Sequence, residues 1–97
     1  MYVLLTTKPG EFKTVVTEGL RPVESYDYYF YGRKRANFTI AELSDSLKIK
    51  IIEDEPPQIV NDVPSKLFEK FETIEDARNE LQTLTTYGSM DTRLQKL

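Results

Sequence analysis

The chain of 97 residues contains neither cysteine nor histidine. Without cysteine there is no disulfide framework, no thiolate nucleophile and no thiolate-held iron–sulfur cluster. Without histidine there is no imidazole base, and zinc and non-haem iron lose their usual nitrogen ligand. Acid–base chemistry would fall to carboxylate, lysine or tyrosine groups with perturbed pKa values, and no spacing of such groups marks a mechanism. Gly10, Gly19, Gly32 and Gly88 stand isolated, so neither a phosphate-binding loop nor a dinucleotide fingerprint is present. No apolar run approaches the roughly 20 residues that span a bilayer. No signal-peptide pattern opens the chain, because Met1 leads straight into a strand-like segment. These absences predict a single domain over residues 1–97, cytoplasmic, non-membrane and non-catalytic, with no cofactor and no metal.

Charge is divided unevenly. Residues 1–50 carry eight Lys/Arg against six Asp/Glu, and residues 51–97 carry five against ten. The net charge of −3 and the pI near 5.0 oppose non-specific nucleic-acid binding, which draws its energy from neutralising phosphates.

The periodicity predicts strands first and a helix later. Tyr2–Thr7 is apolar on both alternations, the pattern of a central strand covered on both faces. Pro9-Gly10 turns the chain into a second strand beginning at Phe12, read as a simple hairpin with the first. Val23–Tyr31 and Ala36–Leu43 form the third and fourth strands, joined across Gly32–Arg35. Leu47, Ile49 and Ile51 alternate with Lys48 and Lys50 in a fifth, half-buried strand. Pro56-Pro57 stops it, and Ile59-Val60 adds a short edge strand. Ser65 caps a single turn holding Leu67, Phe68 and Phe71. Thr73 is placed to cap the main helix, with Asp76 near the positive end of its dipole. Ile74, Ala77, Leu81 and Leu84 make one apolar stripe for burial on the sheet. Gly88 ends that region, and Met90, Leu94 and Leu97 predict a further amphipathic turn or two. The fold class expected is α+β: an antiparallel sheet of about five strands followed by a C-terminal helix packed on one face. A small β-barrel capped by a C-terminal helix has the same order of elements.

What is abundant is local. Six of the eleven aromatic residues lie within Tyr26–Phe38, around the run Arg33-Lys34-Arg35. With Gly32–Arg35 as the loop, Tyr31 faces Ala36 and Tyr29 faces Phe38 on the apolar side. Tyr26, Tyr28 and Phe30 then form a stripe on the wetter face beside the basic tip. This register aims Asp27 at Ile40, which a sheet edge or a bulge would have to relieve. Strand aromatics are ordinarily core, and basic residues at a turn are ordinarily solvated. As a site, however, Tyr26, Tyr28, Phe30, Arg33, Lys34 and Arg35 combine the residue types that anchor protein interfaces. The function expected is that of an accessory or adaptor domain acting through contact with a protein partner, a homodimer being one form of it. The alternative is a domain binding nucleic acid or a phosphorylated ligand through the same hairpin. Glu53, Asp54, Glu55 and Asp62 lack calcium-loop spacing and read as a solvated acidic loop.

Overall fold

A computed structural model describes residues 1–86 and 88–97; Tyr87 lies outside the described residues. Among the described residues, seven strands and one α-helix follow in the order β1 (Tyr2–Thr7), β2 (Phe12–Val15), β3 (Leu20–Phe30), β4 (Arg33–Leu43), β5 (Lys48–Glu53), β6 (Val60–Pro64), α1 (Ile74–Thr85) and β7 (Thr92–Lys96). They form two antiparallel sheets, β1-β4-β3-β7 and β2-β5-β6. The class is α+β, as expected, and among the described residues the strands do not close into a barrel.

The four-stranded sheet is the middle of three layers. Val3, Leu5, Leu20, Ala41 and Leu43 on one face pack with Ile49 of the smaller sheet, and Leu47 and Phe68 close the edges of this cluster. On the other face Ile40 meets Phe71 and Ala77, flanked by Tyr2, Leu4, Tyr26 and Ile74. The double alternation of β1 is thus explained, but β1 is not central. Among the described residues it pairs along its length with β4 only, and its other side meets a single bridge from Tyr2 to Phe71. Apolarity on both alternations reports cover on two faces, not position within a sheet.

The turn after β1 also departs from a simple hairpin. Lys8 and Phe12 bridge across Pro9-Gly10, but β2 then leaves for the second sheet and pairs with β5. Three threonines tie the layers back together: Thr14 Oγ1 donates to the Thr6 carbonyl at 2.5 Å, and the Thr14 amide donates to Thr7 Oγ1 at 3.1 Å. Strand β6 runs on through Asn61 and Asp62, where Asp62 meets Lys50 at 3.2 Å across the ladder. Ser65 begins a 3₁₀ turn without capping it; it is buried, and its hydroxyl instead accepts from the Leu47 amide.

The helix starts as the sequence predicts, with Thr73 Oγ1 accepting from the Asp76 amide at 3.1 Å. Ala77 and Leu81 are buried and Ile74 half-buried, but Leu84 is 47 % exposed. Thr85 takes the inward place, its hydroxyl satisfied by the Leu81 carbonyl at 2.8 Å. The expected helical turn through Met90, Leu94 and Leu97 is instead strand β7, which pairs with β3 from Tyr26↔Lys96 to Phe30↔Thr92. An edge left open by β3 offers that segment a ladder of backbone hydrogen bonds, which outweighs its weak helical spacing.

Leu81 is 1 % exposed between helix and sheet. Leu81→Ala is expected to cost about 2–5 kcal/mol, and Leu84→Ala no more than about 1 kcal/mol. Denaturant midpoints of the two variants check this, and equal losses would contradict the burial pattern.

Candidate functional site

The aromatic–basic hairpin is organised by its turn. Tyr31 and Gly32 have φ of 50° and 77°, the positive values of a two-residue hairpin turn matched to strand twist. The fourth strand therefore begins at Arg33, three residues earlier than expected. Phe30 faces Arg33, Tyr28 faces Ala36, Tyr26 faces Phe38 and Asp27 faces Asn37. The two-residue turn shifts the pairing by an even number at the tip, and the bulge between Tyr28 and Tyr29 makes the shift odd below it. Because side chains alternate with period two, that odd shift exchanges the faces. The expected placement of Tyr26, Tyr28 and Phe30 on a wet face is overturned. They share the face that carries Ile40 and the helix, and Tyr28 is only 8 % exposed. The expected core position of Tyr31 is overturned as well, since the residue is 60 % exposed at the tip.

The new register removes the conflict at Asp27. Its carboxylate accepts from Asn37 Nδ2 at 3.1 Å and meets Lys34 Nζ at 3.3 Å. Ser25, Asn37 and Thr39 continue this polar patch, with Asn37 Nδ2 donating to Ser25 Oγ at 3.0 Å. On the same face the Arg93 guanidinium lies 4.8 Å from the centre of the Tyr29 ring. A hollow of about 120 Å³ between Tyr29, Gly32, Asp91 and Arg93 adjoins the turn.

Two bulges set the remaining directions. Between Pro22 and Glu24 the register slips, leaving Val23 as the extra residue of β3. Leu20 therefore faces the inter-sheet cluster, whereas Tyr26 faces the helix. Between Tyr28 and Tyr29 the register slips again, and Arg35 is the extra residue of β4. Consecutive residues Arg35 and Ala36 consequently line one groove of about 640 Å³ beside the C-terminal end of α1. Tyr28, Phe30, Phe38 and Phe12 form its aromatic walls, and Leu84 and Thr85 close the helix side. Arg35 lies over the Phe30 ring at 5.9 Å, while Tyr28 and Phe38 tilt against each other at 6.1 Å.

Of the six residues singled out in the sequence, Tyr28, Phe30 and Arg35 therefore meet at this groove. Lys34 is held by Asp27 on the opposite face, and Arg33 is exposed at the start of β4. Tyr26 is anchored beside the helix, its hydroxyl donating to Glu24 Oε1 at 2.6 Å. Phe12, Leu84 and Thr85 come from β2 and α1 and share no local motif with the hairpin, and Phe38, within the hairpin, was expected on its core side. Among the described residues, no three His, Cys, Asp or Glu side chains gather as a metal site, and no helix is long and apolar enough to cross a membrane. In comparisons with protein families, curated proteins and solved structures, nothing matches this chain.

Glu24 is the electrostatic hub beside the hairpin, its side chain 8 % exposed. Arg78 grips both carboxylate oxygens, with Nε to Oε1 at 2.9 Å and Nη2 to Oε2, and Lys96 Nζ adds a contact at 3.1 Å. The Arg78 hydrogen bonds above all, then those of Tyr26 and Lys96, hold the Glu24 carboxyl far below the usual carboxylate range. Burial, followed by the bond to Glu24, holds the Tyr26 phenol above its ordinary value.

A carboxylate with a depressed folded-state pKa stabilises the fold above its unfolded value of about 4.3, and that contribution is lost as pH falls through the folded value. Glu24→Gln is therefore expected to lower the thermal midpoint by several degrees at neutral pH. The midpoints of variant and wild type should converge as the pH falls below about 4. Curves that stay parallel through the acid range would show that the cluster contributes nothing through charge.

Proposed function

We propose that this protein is a non-catalytic accessory domain that holds a protein partner at the tip of its β3–β4 hairpin. The observation that carries the reading is Tyr31. At this turn position Asn, Asp or Gly satisfies a positive φ most easily, and a bulky residue costs on the order of 1–2 kcal/mol. The chain instead places a tyrosine there and leaves most of its ring in solvent, edge-on to Phe30 at 4.8 Å. Strain kept at an exposed position is the ordinary mark of a contact made elsewhere. Arg33 stands next to it, and Arg93 with its small hollow lies on the neighbouring strand. Tyrosine and arginine are the side chains that dominate interface hot spots.

The partner this tip suits presents carboxylates. Arg33, Lys34 and Arg93 outnumber Asp27 and Asp91 at this end of the sheet. The two carboxylates inside the hairpin are engaged, Glu24 with Arg78 and Lys96 and Asp27 with Lys34, which supports binding over catalysis.

Tyr31→Asn separates the roles, since it relaxes the turn while removing the ring. The thermal midpoint is expected to hold or rise, whereas capture of the partner from the native host falls about tenfold or more, as for a hot-spot residue. Arg33→Ala should weaken capture without changing stability. Undiminished capture by both variants would overturn the reading. Binding of a single-stranded oligonucleotide that weakens with salt at roughly 0.7 log units per phosphate contact would transfer the tip to nucleic acid instead.

A further inference from the structure

We infer that the groove between the hairpin and the end of α1 is a binding site for a small flat apolar molecule carrying one anionic group, such as an aryl carboxylate. This site is independent of the tip. Its volume of about 640 Å³ falls within the roughly 300–1,000 Å³ of small-ligand pockets. Four rings from three strands make its walls, a setting in which a flat ring stacks or packs edge to face. Ala36 lies between them where a larger side chain would fill the space, and it is itself buried.

The anionic group follows from the rim. Among the described residues of the lining, Lys8 and Arg35 stand there with Glu11 as the one carboxylate, leaving an excess of positive charge. Among the described residues neither cation is paired with a carboxylate, whereas Arg21, Lys34, Lys50, Arg78 and Lys96 all are. Arg35 reaches the groove because it is the bulged residue of β4. A regular strand would send it to the face opposite Ala36, and bulges recur beside binding sites because they re-aim a side chain in this way. A guanidinium laid along the Phe30 ring keeps donors free for two carboxylate oxygens.

The plain character of the ring follows from the walls. Among the described residues of the lining, Thr6 and Thr85 are the uncharged polar side chains apart from the Tyr28 phenol, and the Thr85 hydroxyl is given to the Leu81 carbonyl. A ring with many hydrogen-bonding edges, such as a nucleobase, would leave those edges unpaired at a cost. Leu84, exposed although Ala77 and Leu81 of the same apolar stripe are buried, supplies an apolar edge at the mouth.

The test is an amide chemical-shift titration of the intact chain with benzoate, phenylacetate and naphthoate, each beside its uncharged amide. At least one acid is expected to shift Ala36, Phe38, Leu84 and Thr85 saturably. Its affinity should exceed that of its amide by about tenfold, the margin of a charge-assisted pair. Arg35→Gln should erase the difference between acid and amide while leaving the spectrum otherwise folded, and Lys8→Gln should reduce it. The inference is overturned if none of the three acids gives saturable shifts at millimolar concentration. Equal affinity for acid and amide overturns it too, as does an acidic aromatic peptide that shifts these residues where the free acids do not.

Discussion

The pairing of β3 with β4 is the constraint from which the other contacts follow. Strand β4, like β1, contributes to both clusters through adjacent residues, Ala41 toward the second sheet and Ile40 toward the helix. Its alignment is set at the turn, where Tyr31 and Gly32 hold positive φ and bring Arg33 opposite Phe30. Had the loop been longer by an odd number of residues, each aromatic ring would have crossed to the other face. The helix would then have met Asp27 in place of Tyr26, and Glu24 would have lost Arg78. The two-residue turn and the bulge at Arg35 thus together govern both layers on either side of the sheet.

Much of the secondary structure was legible in the sequence because it depends on short-range pattern. Strands β1 and β5, the Thr73 cap and the inward positions of Ala77 and Leu81 all follow from period and capping chemistry. What lay beyond reach was pairing. A bulge has no reliable local signature, yet the one at Val23 reverses the alternation halfway along β3, so that no single period describes it. The alignment itself did leave a trace: setting Asp27 against Asn37 and Ser25 against Thr39 matches polar with polar. The longer loop set Asp27 against Ile40, and that mismatch was the available sign of a wrong register. Strand β7 was hidden because its spacing suits a helix, and its ladder depends on an edge more than sixty residues away.

The candidate site divides in the same way. A dense set of aromatic and basic residues marked the correct hairpin, since such composition is readable without a fold. Which side of the sheet each ring occupies was not readable, as it rests on the turn and the two bulges. Nor could the groove be assembled from one segment. Phe12 arrives from the strand that changes sheets, and Leu84 from a helix turn where Thr85 displaced it from the core.

The cluster at Glu24 bears on how the chain reaches this state. It joins β3 to Arg78 and Lys96, partners 54 and 72 positions away in sequence. Contacts closed across such separations form slowly, because the chain entropy is lost before the contact is made. Until residues 92–96 arrive, the outer edge of β3 has unfilled backbone donors and acceptors running from Tyr26 to Phe30. Such an edge is a template for pairing with another chain. Strand β7 is therefore a shield as well as a structural element, and the nascent or partly unfolded protein is most exposed to mispairing along β3, its most aromatic strand among the described residues.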